Sequence, residues 1–495
     1  MNSNIEWLDW GRPAFDKSVK DGKPILLSIT VPWSSYCREM SDLTYSREEV
    51  IEKVNQGFIP VRVNGEERPD VNLRYGQGGW PSTVFLTPRG SVITGCTYVP
   101  EAQFTELLEQ VVGIYEALNR SGRTALGPEN TDSMAGFEEK RLYYIKNRTP
   151  FIDRFQELLF SSFDQVYGGF GFHPRENGPK YPLPDALGYL LKRYELDGES
   201  KVKVVIEKTL ESMVESGLFD FLEGGFFHYS LDRKWQFPCS EKLLVDNIEL
   251  AQIYYDAARI LGDARFQDIY EKTVRFVNQW LLNPETKEFY SSVSADANYY
   301  KLASRAERLA YLKGHKSPLV DRAVYTNVGA VAANFYLERK IKEYSNADLN
   351  RLLVSMRSPD GLFFHCGIGG TGCLNDFFTD QVNFTRLLVS CSQLPSEPAV
   401  GLSRSELVAD LWNKTMNTFY DRVNGGFIDR RKVDNEVGLA VFPRKVLKDN
   451  VVAVSVLKHF GQKEEARQTL IELLWKNKTP NLYSGSLAAA LLTEF

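Results

Sequence analysis

Several carboxylates in the helix-rich later part of the chain sit beside aromatic residues and could exchange protons with a bound ligand. Glu241, Asp246 and Asp376 are the candidate acid–base groups, with Asp296 and Asp380 as further polar positions in similar surroundings. Glycoside hydrolysis needs two such carboxyls, ~5 Å apart for retention or ~6.5 to 9.5 Å for inversion, with one kept protonated by its environment. Asp376 and Asp380 have the spacing of one helical turn, which also suits a solvated face or a helix cap at Asp376. Lys180 follows a glycine turn together with His173 and Arg175, where it could hold an anionic or hydroxylated ligand, and Asn247 adjoins Asp246. Phe170, Phe172, Tyr181, Phe226, Phe227, Tyr229, Trp235 and Phe237 gather around two successive glycine turns. That clustering suits stacking on a sugar, and it suits filling a helical core equally well. His365-Cys366 with Cys373 resembles a loose metal cluster, but no fourth ligand is evident and no metal or other cofactor is expected.

The elements that must position these residues have two textures. Up to about residue 118, short apolar runs alternate with helical stretches, the pattern of an α/β domain. Ile25–Ile29, Phe58–Val63, Thr83–Leu86 and Val92-Ile93 read as strands, and a helix from Glu101 to Leu118 closes the domain. Residues 119 to 148 are polar, with turn formers, and read as a linker whose second half could be helical. From 149 to 495 nearly every apolar segment has the 3.6-residue period of a helix. Glycine-aromatic turns recur there at Gly168-Gly169-Phe170, Gly224-Gly225-Phe226, Gly361-Leu362-Phe363 and Gly425-Gly426-Phe427, with a degenerate copy at Lys287-Glu288-Phe289. The intervals are 56, 63, 73 and 64 residues, each long enough for a helical hairpin. Five such turns imply about six hairpins, which close most economically into an (α/α)6 toroid with its loops at one mouth. An open solenoid would show similar repeats, with shorter and more regular periods.

Composition narrows the function classes. The 495 residues carry 59 Lys+Arg against 64 Asp+Glu, a net charge of -5, and no basic stretch with interleaved aromatics, so nucleic acid is not an expected partner. No apolar run approaches the ~20 residues needed to span a bilayer. Met1-Asn2-Ser3-Asn4-Ile5-Glu6 lacks signal-peptide order, and a cytoplasmic location without membrane contact is the expectation. Six cysteines are too few and scattered for a disulfide scaffold. The 13% aromatic content is the unusual figure.

The sequence resembles the thioredoxin-domain family typified by spermatogenesis-associated protein 20. The resemblance rests on Trp10-Gly11, Lys23-Pro24-Ile25-Leu26-Leu27, Glu66-Glu67-Arg68-Pro69-Asp70-Val71 and Gly76-Gln77-Gly78-Gly79-Trp80-Pro81-Ser82-Thr83. In the helical half it rests on Tyr167-Gly168-Gly169-Phe170-Gly171, Pro179-Lys180-Tyr181-Pro182, Glu241-Lys242-Leu243-Leu244 with Asp246-Asn247, and Asn375-Asp376-Phe377. It implies a thioredoxin-like domain followed by a six-hairpin toroid similar to those of N-acylglucosamine epimerases and some glycosidases, and a cis peptide bond before Pro81.

Three departures from the family pattern bear on function. Where the family has a Cys-x-x-Cys pair, this chain has Ser34-Ser35-Tyr36-Cys37, and dithiol exchange needs both an attacking and a resolving thiol. Where the family writes His-Phe-Glu-Lys, this chain writes Cys239-Ser240-Glu241-Lys242, losing a natural proton-transfer group. The connection from Asp70 to Gly76 is short and omits a helical segment typical of relatives. The first expectation is therefore a divergent, non-catalytic protein that binds a ligand through the toroid mouth, using Lys180, Asn247, Phe170 and Trp235, and a protein partner through the thioredoxin-like domain. The alternatives are a carbohydrate isomerase or hydrolase built on Glu241, Asp246 and Asp376, and a monothiol redox protein built on Cys37 with Ser34 and Pro81.

Overall fold

The computed structural model describes residues 4–121, 136–171, 178–315, 318–368, 371–391, 403–433 and 436–494. They form two units, residues 1–134 with 430–444, and residues 135–429 with 445–495.

The first unit has the thioredoxin-like sheet order β2-β1-β3-β4, from β1 (Ile25–Thr30), β2 (Ile59–Asn64), β3 (Ser82–Leu86) and β4 (Val92–Cys96). β1 and β2 are parallel, while β3 and β4 run antiparallel. Five helices accompany the sheet: α1 (Arg12–Asp21), α2 (Ser35–Glu39), α3 (Glu48–Gly57), α4 (Pro69–Tyr75) and α5 (Glu101–Ser121). Successive side chains of a strand point to opposite faces. Leu26 and Phe85 therefore pack with Val50, Val54 and Leu108, whereas Ile25, Leu27 and Ile29 pack with Trp10, Phe15 and Tyr75. The Trp80–Pro81 peptide bond is cis. The stretch read as a shortened connection is itself the short helix α4, started by Pro69 at its first turn.

Residues 430–444, reached from the far end of the sequence, pack within this unit. The Arg430 guanidinium bonds the buried Asp70 carboxylate at 2.5 Å, Arg74 donates to the Leu439 and Phe442 carbonyls, and the Leu439 amide donates to Tyr75 Oη. Sequence periodicity carries no sign of this excursion.

The second unit is a closed ring of helices. Its outer helices are α6 (Phe137–Ser162), α8 (Ser200–Ser216), α10 (Ala264–Phe276), α14 (Asn346–Met356), α16 (Arg404–Phe419) and α18 (Lys463–Lys476). The inner helices are α7 (Pro184–Asp197), α9 (Leu244–Leu261), α13 (Thr326–Glu338), α15 (Phe378–Ser390), α17 (Leu447–His459) and α19 (Gly485–Leu492), and two short helices, α11 (Ala297–Tyr300) and α12 (Arg305–Gly314), lie in the loop before α13. Each inner helix contacts the next, and α19 returns to α7. That closure makes the unit an (α/α)6 toroid rather than a solenoid. One continuous apolar cluster fills the space between the rings. Residues 137–148, read as part of a linker, are the first turns of α6, and 122–135 lie outside the described residues.

Candidate functional site

Chain direction fixes where the site lies. Every inner helix is entered from a long loop and mostly left by a short one, such as 198–199, 262–263 or 460–462, so all six begin at the same end of the ring. Four carry an aspartate in the first turn: Asp185, Asp246, Asp380 and Asp449. A carboxylate there is favoured by the unsatisfied amides and the positive end of the helix dipole, and two of the four, Asp185 and Asp246, line the pocket at the mouth.

The long loops are held by a repeated lock. In three copies an aspartate opens the glycine turn and a lysine from the following loop closes it. Lys180 Nζ bonds Asp164 at 2.9 Å and the Gly168 carbonyl at 2.6 Å. Lys242 Nζ bonds Asp220 at 2.8 Å and the Gly224 carbonyl at 2.8 Å. Lys445 Nζ bonds Asp421 at 2.8 Å and the Gly425 carbonyl at 2.6 Å. Burial opposes ionisation of Asp164 and Asp220, but Arg233 with Lys180, and Lys242 with Arg308, prevail and hold both carboxyls below their ordinary range. A carboxamide near the start of the next inner helix then clasps the turn's aromatic residue. Asn247 accepts from Phe226 N and donates to its carbonyl, Asn450 does so for Phe427, and Gln381 does so for Phe363. Gly169, at φ 81°, has no room for a side chain, since a Cβ would lie 2.6 Å from Trp235 Cζ2.

Four residues expected to touch a ligand therefore serve the fold. Lys180, Asn247, Phe170 and Trp235 are buried; Trp235 donates from Nε1 to the Tyr167 carbonyl, and none of the four lines the pocket at the mouth or the central cavity among the described residues. Glu241 is buried behind the mouth beside Cys239. The Cys239 thiol is pushed up to about 12 by burial and then by the Glu241 charge. Asp376 is half-buried and precedes α15, whose N-cap is Phe377, so it does not share a helical face with Asp380. His173, Arg175 and Phe172 lie outside the described residues. Cys366 is disulfide-bonded and stands opposite Cys373 in a β-hairpin. Among the described residues no group of three or more His, Cys, Asp or Glu side chains could hold a metal.

Of the expected acid–base groups, Asp246 lines a cavity. The pocket at the mouth, of about 210 Å³, is walled by Tyr181, His228, Asp246, Glu249, Asp185, Lys448 and Tyr483, among others. His228 Nδ1 lies 2.6 Å from Asp246 Oδ2. Lys448 Nζ bonds Glu249 at 2.6 Å and lies 3.6 Å from Asp185. Tyr181 stacks on Tyr229, with ring centroids 4.8 Å apart. Burial works against a protonated His228, but the Asp246 charge and hydrogen bond outweigh it and the ring's pKa is raised. Burial also raises Glu249; Lys448 opposes this, and Asp185 adds to it. Just inside, Asp449 accepts from Thr379 Oγ1 at 3.0 Å and is pushed up to about 6, chiefly by burial.

A second His–Asp pair repeats the first. His365 Nδ1 lies 3.0 Å from both Asp380 oxygens, where the pair is fully buried. Both histidines stand four residues after a turn glycine, in Gly224-Gly225-Phe226-Phe227-His228 and Gly361-Leu362-Phe363-Phe364-His365. Each meets the first-turn aspartate of the inner helix that follows. That shared offset is the signal by which His228 could have been found; Glu249, Asp185, Lys448 and Asp449 carry no comparable one.

Residues 1–126 match the family model described as Thioredox_DsbH, a protein of unknown function, DUF255. The rat protein spermatogenesis-associated protein 20 is 31% identical over 327 residues, covering 59% of this chain and 39% of the relative. The human protein of that name is 31% identical over 314 residues with the same coverage. The chain resembles the spermatogenesis-associated protein 20 family. It spans only 39% of the length of these curated relatives. The toroid is similar in fold to a sugar epimerase from a ruminal bacterium, at 13% identity and a TM-score of 0.51, covering 72% of this chain and 98% of that one. A cellobiose 2-epimerase from Spirochaeta thermophila aligns at 13% identity and a TM-score of 0.52, covering 72% and 96%. No described helix is long and apolar enough to cross a membrane.

Proposed function

We propose that the toroid mouth binds a small polyhydroxylated ligand, a sugar or sugar derivative, and moves protons on it as an isomerase or epimerase does. One observation carries this reading: His228 with Asp246, and Glu249 with Lys448 and Asp185, wall a single 210 Å³ pocket. Isomerisation and epimerisation both remove a proton from the carbon beside a carbonyl; isomerisation returns one to the former carbonyl carbon and epimerisation returns one to the same carbon from the opposite face, and both need an acid and a base on one substrate. His228, with Nδ1 committed to Asp246 and a raised pKa, supplies a proton to the carbonyl oxygen through Nε2. Glu249, made more basic by burial and by Asp185, takes the carbon-bound proton. Groups whose surroundings shift them toward neutrality are the ones suited to this work. The fold shared with sugar epimerases supports the choice of substrate class, and Tyr181 stacked on Tyr229 gives the pocket an aromatic wall.

The test is to incubate the protein with a panel of aldoses, ketoses and reducing disaccharides in D2O and follow by NMR the loss of the proton signal on the carbon beside the carbonyl, C2 in an aldose and C1 in a ketose. Exchange is expected with at least one sugar. His228→Asn and Asp246→Asn should slow it by about 10²- to 10⁴-fold. No exchange with any sugar, or exchange indifferent to both substitutions, would overturn the reading.

A further inference from the structure

The mouth pocket continues into a central cavity of about 710 Å³, the two sharing Pro184, Asp185, Glu249 and Lys448. All six inner helices begin at the mouth, so a residue's offset from its helix start gives its depth. The second residue of every inner helix lines the cavity: Asp185, Val245, Asn327, Thr379, Lys448 and Ser486. Seven residues on, each helix lines it again, with Lys192, Gln252, Asn334, Arg386, Ser455 and, at the C-cap of α19, Thr493. The two levels lie about 10.5 Å apart at 1.5 Å per residue, and apart from Val245 every residue in both is polar. The level between them is mixed, with Ile248, Val331 and Val452 beside Tyr189, Glu249 and Asn383. Three polar atoms on the outer levels lack a hydrogen-bond partner among the described residues: Asn327 Oδ1 and Ser486 Oγ near the mouth, and Asn334 Oδ1 deeper in, on a side chain 7% exposed. Buried polar groups are nearly always paired, so three orphans lining one cavity call for donors held inside it. Asn327 and Asn334 stand two turns apart on one face of α13, a separation that a single sugar ring does not span.

We infer that the ligand is a linear reducing oligosaccharide of at least three units, with its reducing unit in the mouth pocket and the following units running down the lumen, where their hydroxyls donate to Asn327, Ser486 and, deeper, Asn334. The reducing unit keeps the carbonyl that proton transfer needs, and its placement rests on the function proposed above. The placement of the following units rests on the two polar levels of the lumen alone. Hydroxyls on those units meet the polar levels, and the C–H faces of the rings meet the apolar side chains between, the division of labour usual in ligand sites.

The experiment is calorimetric titration with glucose, cellobiose, cellotriose and cellotetraose, and with the matching α-1,4-glucan and β-1,4-mannan series, alongside deuterium exchange on the same sugars. In at least one series affinity should rise by about tenfold or more from the monosaccharide to the trisaccharide, as roughly one to two net hydrogen bonds would give. Asn334→Leu should lower affinity for the trisaccharide by about tenfold and for the monosaccharide by far less. Thermal melts report whether that variant is folded; if it is not, Ser486→Ala takes its place and should weaken the disaccharide and trisaccharide alike. No rise in any series, or a rise untouched by the folded variant, overturns the inference. A rise with chain length that the variant removes, without deuterium exchange on any sugar, supports the oligosaccharide lumen and overturns the proton transfer. Exchange on monosaccharides with no gain from added units supports the function proposed above and overturns the inference.

Discussion

Asp246 sets the protonation of His228. The imidazole Nδ1 and the carboxylate Oδ2 lie 2.6 Å apart at the toroid mouth, and burial, the largest influence on the ring, pulls in the opposite direction. Removing the carboxylate should reverse the balance. In a pH titration of labelled histidine followed by NMR, His228 is expected to titrate above the ordinary 6.5 in the unmodified protein and markedly lower in Asp246→Asn. A folded value raised above the unfolded one favours the folded state fully below 6.5, and that contribution is lost as pH rises through the folded value. Asp246→Asn should therefore cost more stability at pH 5.5 than at pH 8, approximate values chosen to bracket the transition. Equal losses would contradict the pairing.

Asp449 has the same sign with a different consequence. Its carboxyl is raised from 3.8 to about 6, chiefly by burial; Thr379 opposes this, and Asp380 adds to it. The folded state thus favours the protonated form, and stability declines as pH rises between about 4 and 6. Asp449→Asn keeps an acceptor for Thr379 and loses the charge. It should melt at a higher temperature than the unmodified protein at pH 7, by an amount worth up to about 3 kcal/mol, and at the same temperature at pH 3.5, roughly where both states are protonated. Parallel scanning calorimetry at the two pH values decides it.

The lysine locks predict a separation of stability from binding. Lys242 is buried against Asp220, which keeps Arg308 as its other partner. Lys242→Met leaves a buried carboxylate with half its compensation and should destabilise the toroid by about 3 kcal/mol, read as a lower urea midpoint at unchanged slope. Lys180→Met should behave alike, because Arg233 remains on Asp164. Neither change should alter ligand affinity once measured on folded protein. A specific loss of affinity in Lys180→Met would return that lysine to the binding site.

Much of this fold was legible because it repeats. The glycine turns that divide the helical half are the turns observed, and the four strand segments of the first unit form one sheet. Closure of the ring was an inference from economy, and it holds because α19 packs on α7. Site residues were harder, since spacing gives a residue's place along the chain and not the direction of its side chain. Lys180 follows its turn as a ligand-binding lysine would, and only alignment with Lys242 and Lys445 reveals its structural role. Asn247 adjoins Asp246 in sequence, yet on a helix adjacent residues point about 100° apart: Asp246 faces the pocket while Asn247 folds back onto Phe226. Glu249 and Lys448 meet from helices far apart in the chain, and no local pattern marks either.

The thioredoxin-like unit yields a final prediction, at the position where the family's first cysteine is replaced. Ser34 is the N-cap of α2, its hydroxyl accepting the Cys37 amide at 3.3 Å, and Cys37 is 5% exposed. The serine thus does structural work that the hydroxyl alone explains. Ser34→Ala should cost about 1 kcal/mol through loss of the cap, whereas Ser34→Cys, which restores the Cys-x-x-Cys spacing, keeps only a weak sulfur acceptor there. If burial of Cys37 decides reactivity, thiol labelling under native conditions should modify Cys96, which is half-buried in β4, faster than Cys37 in the unmodified protein. In Ser34→Cys the new thiol, in the attacking position of the restored pair, should raise insulin-reducing activity above that of the unmodified chain. Reduction of insulin by the unmodified protein, lost in Cys37→Ala, would show that one thiol suffices and would support the monothiol redox reading.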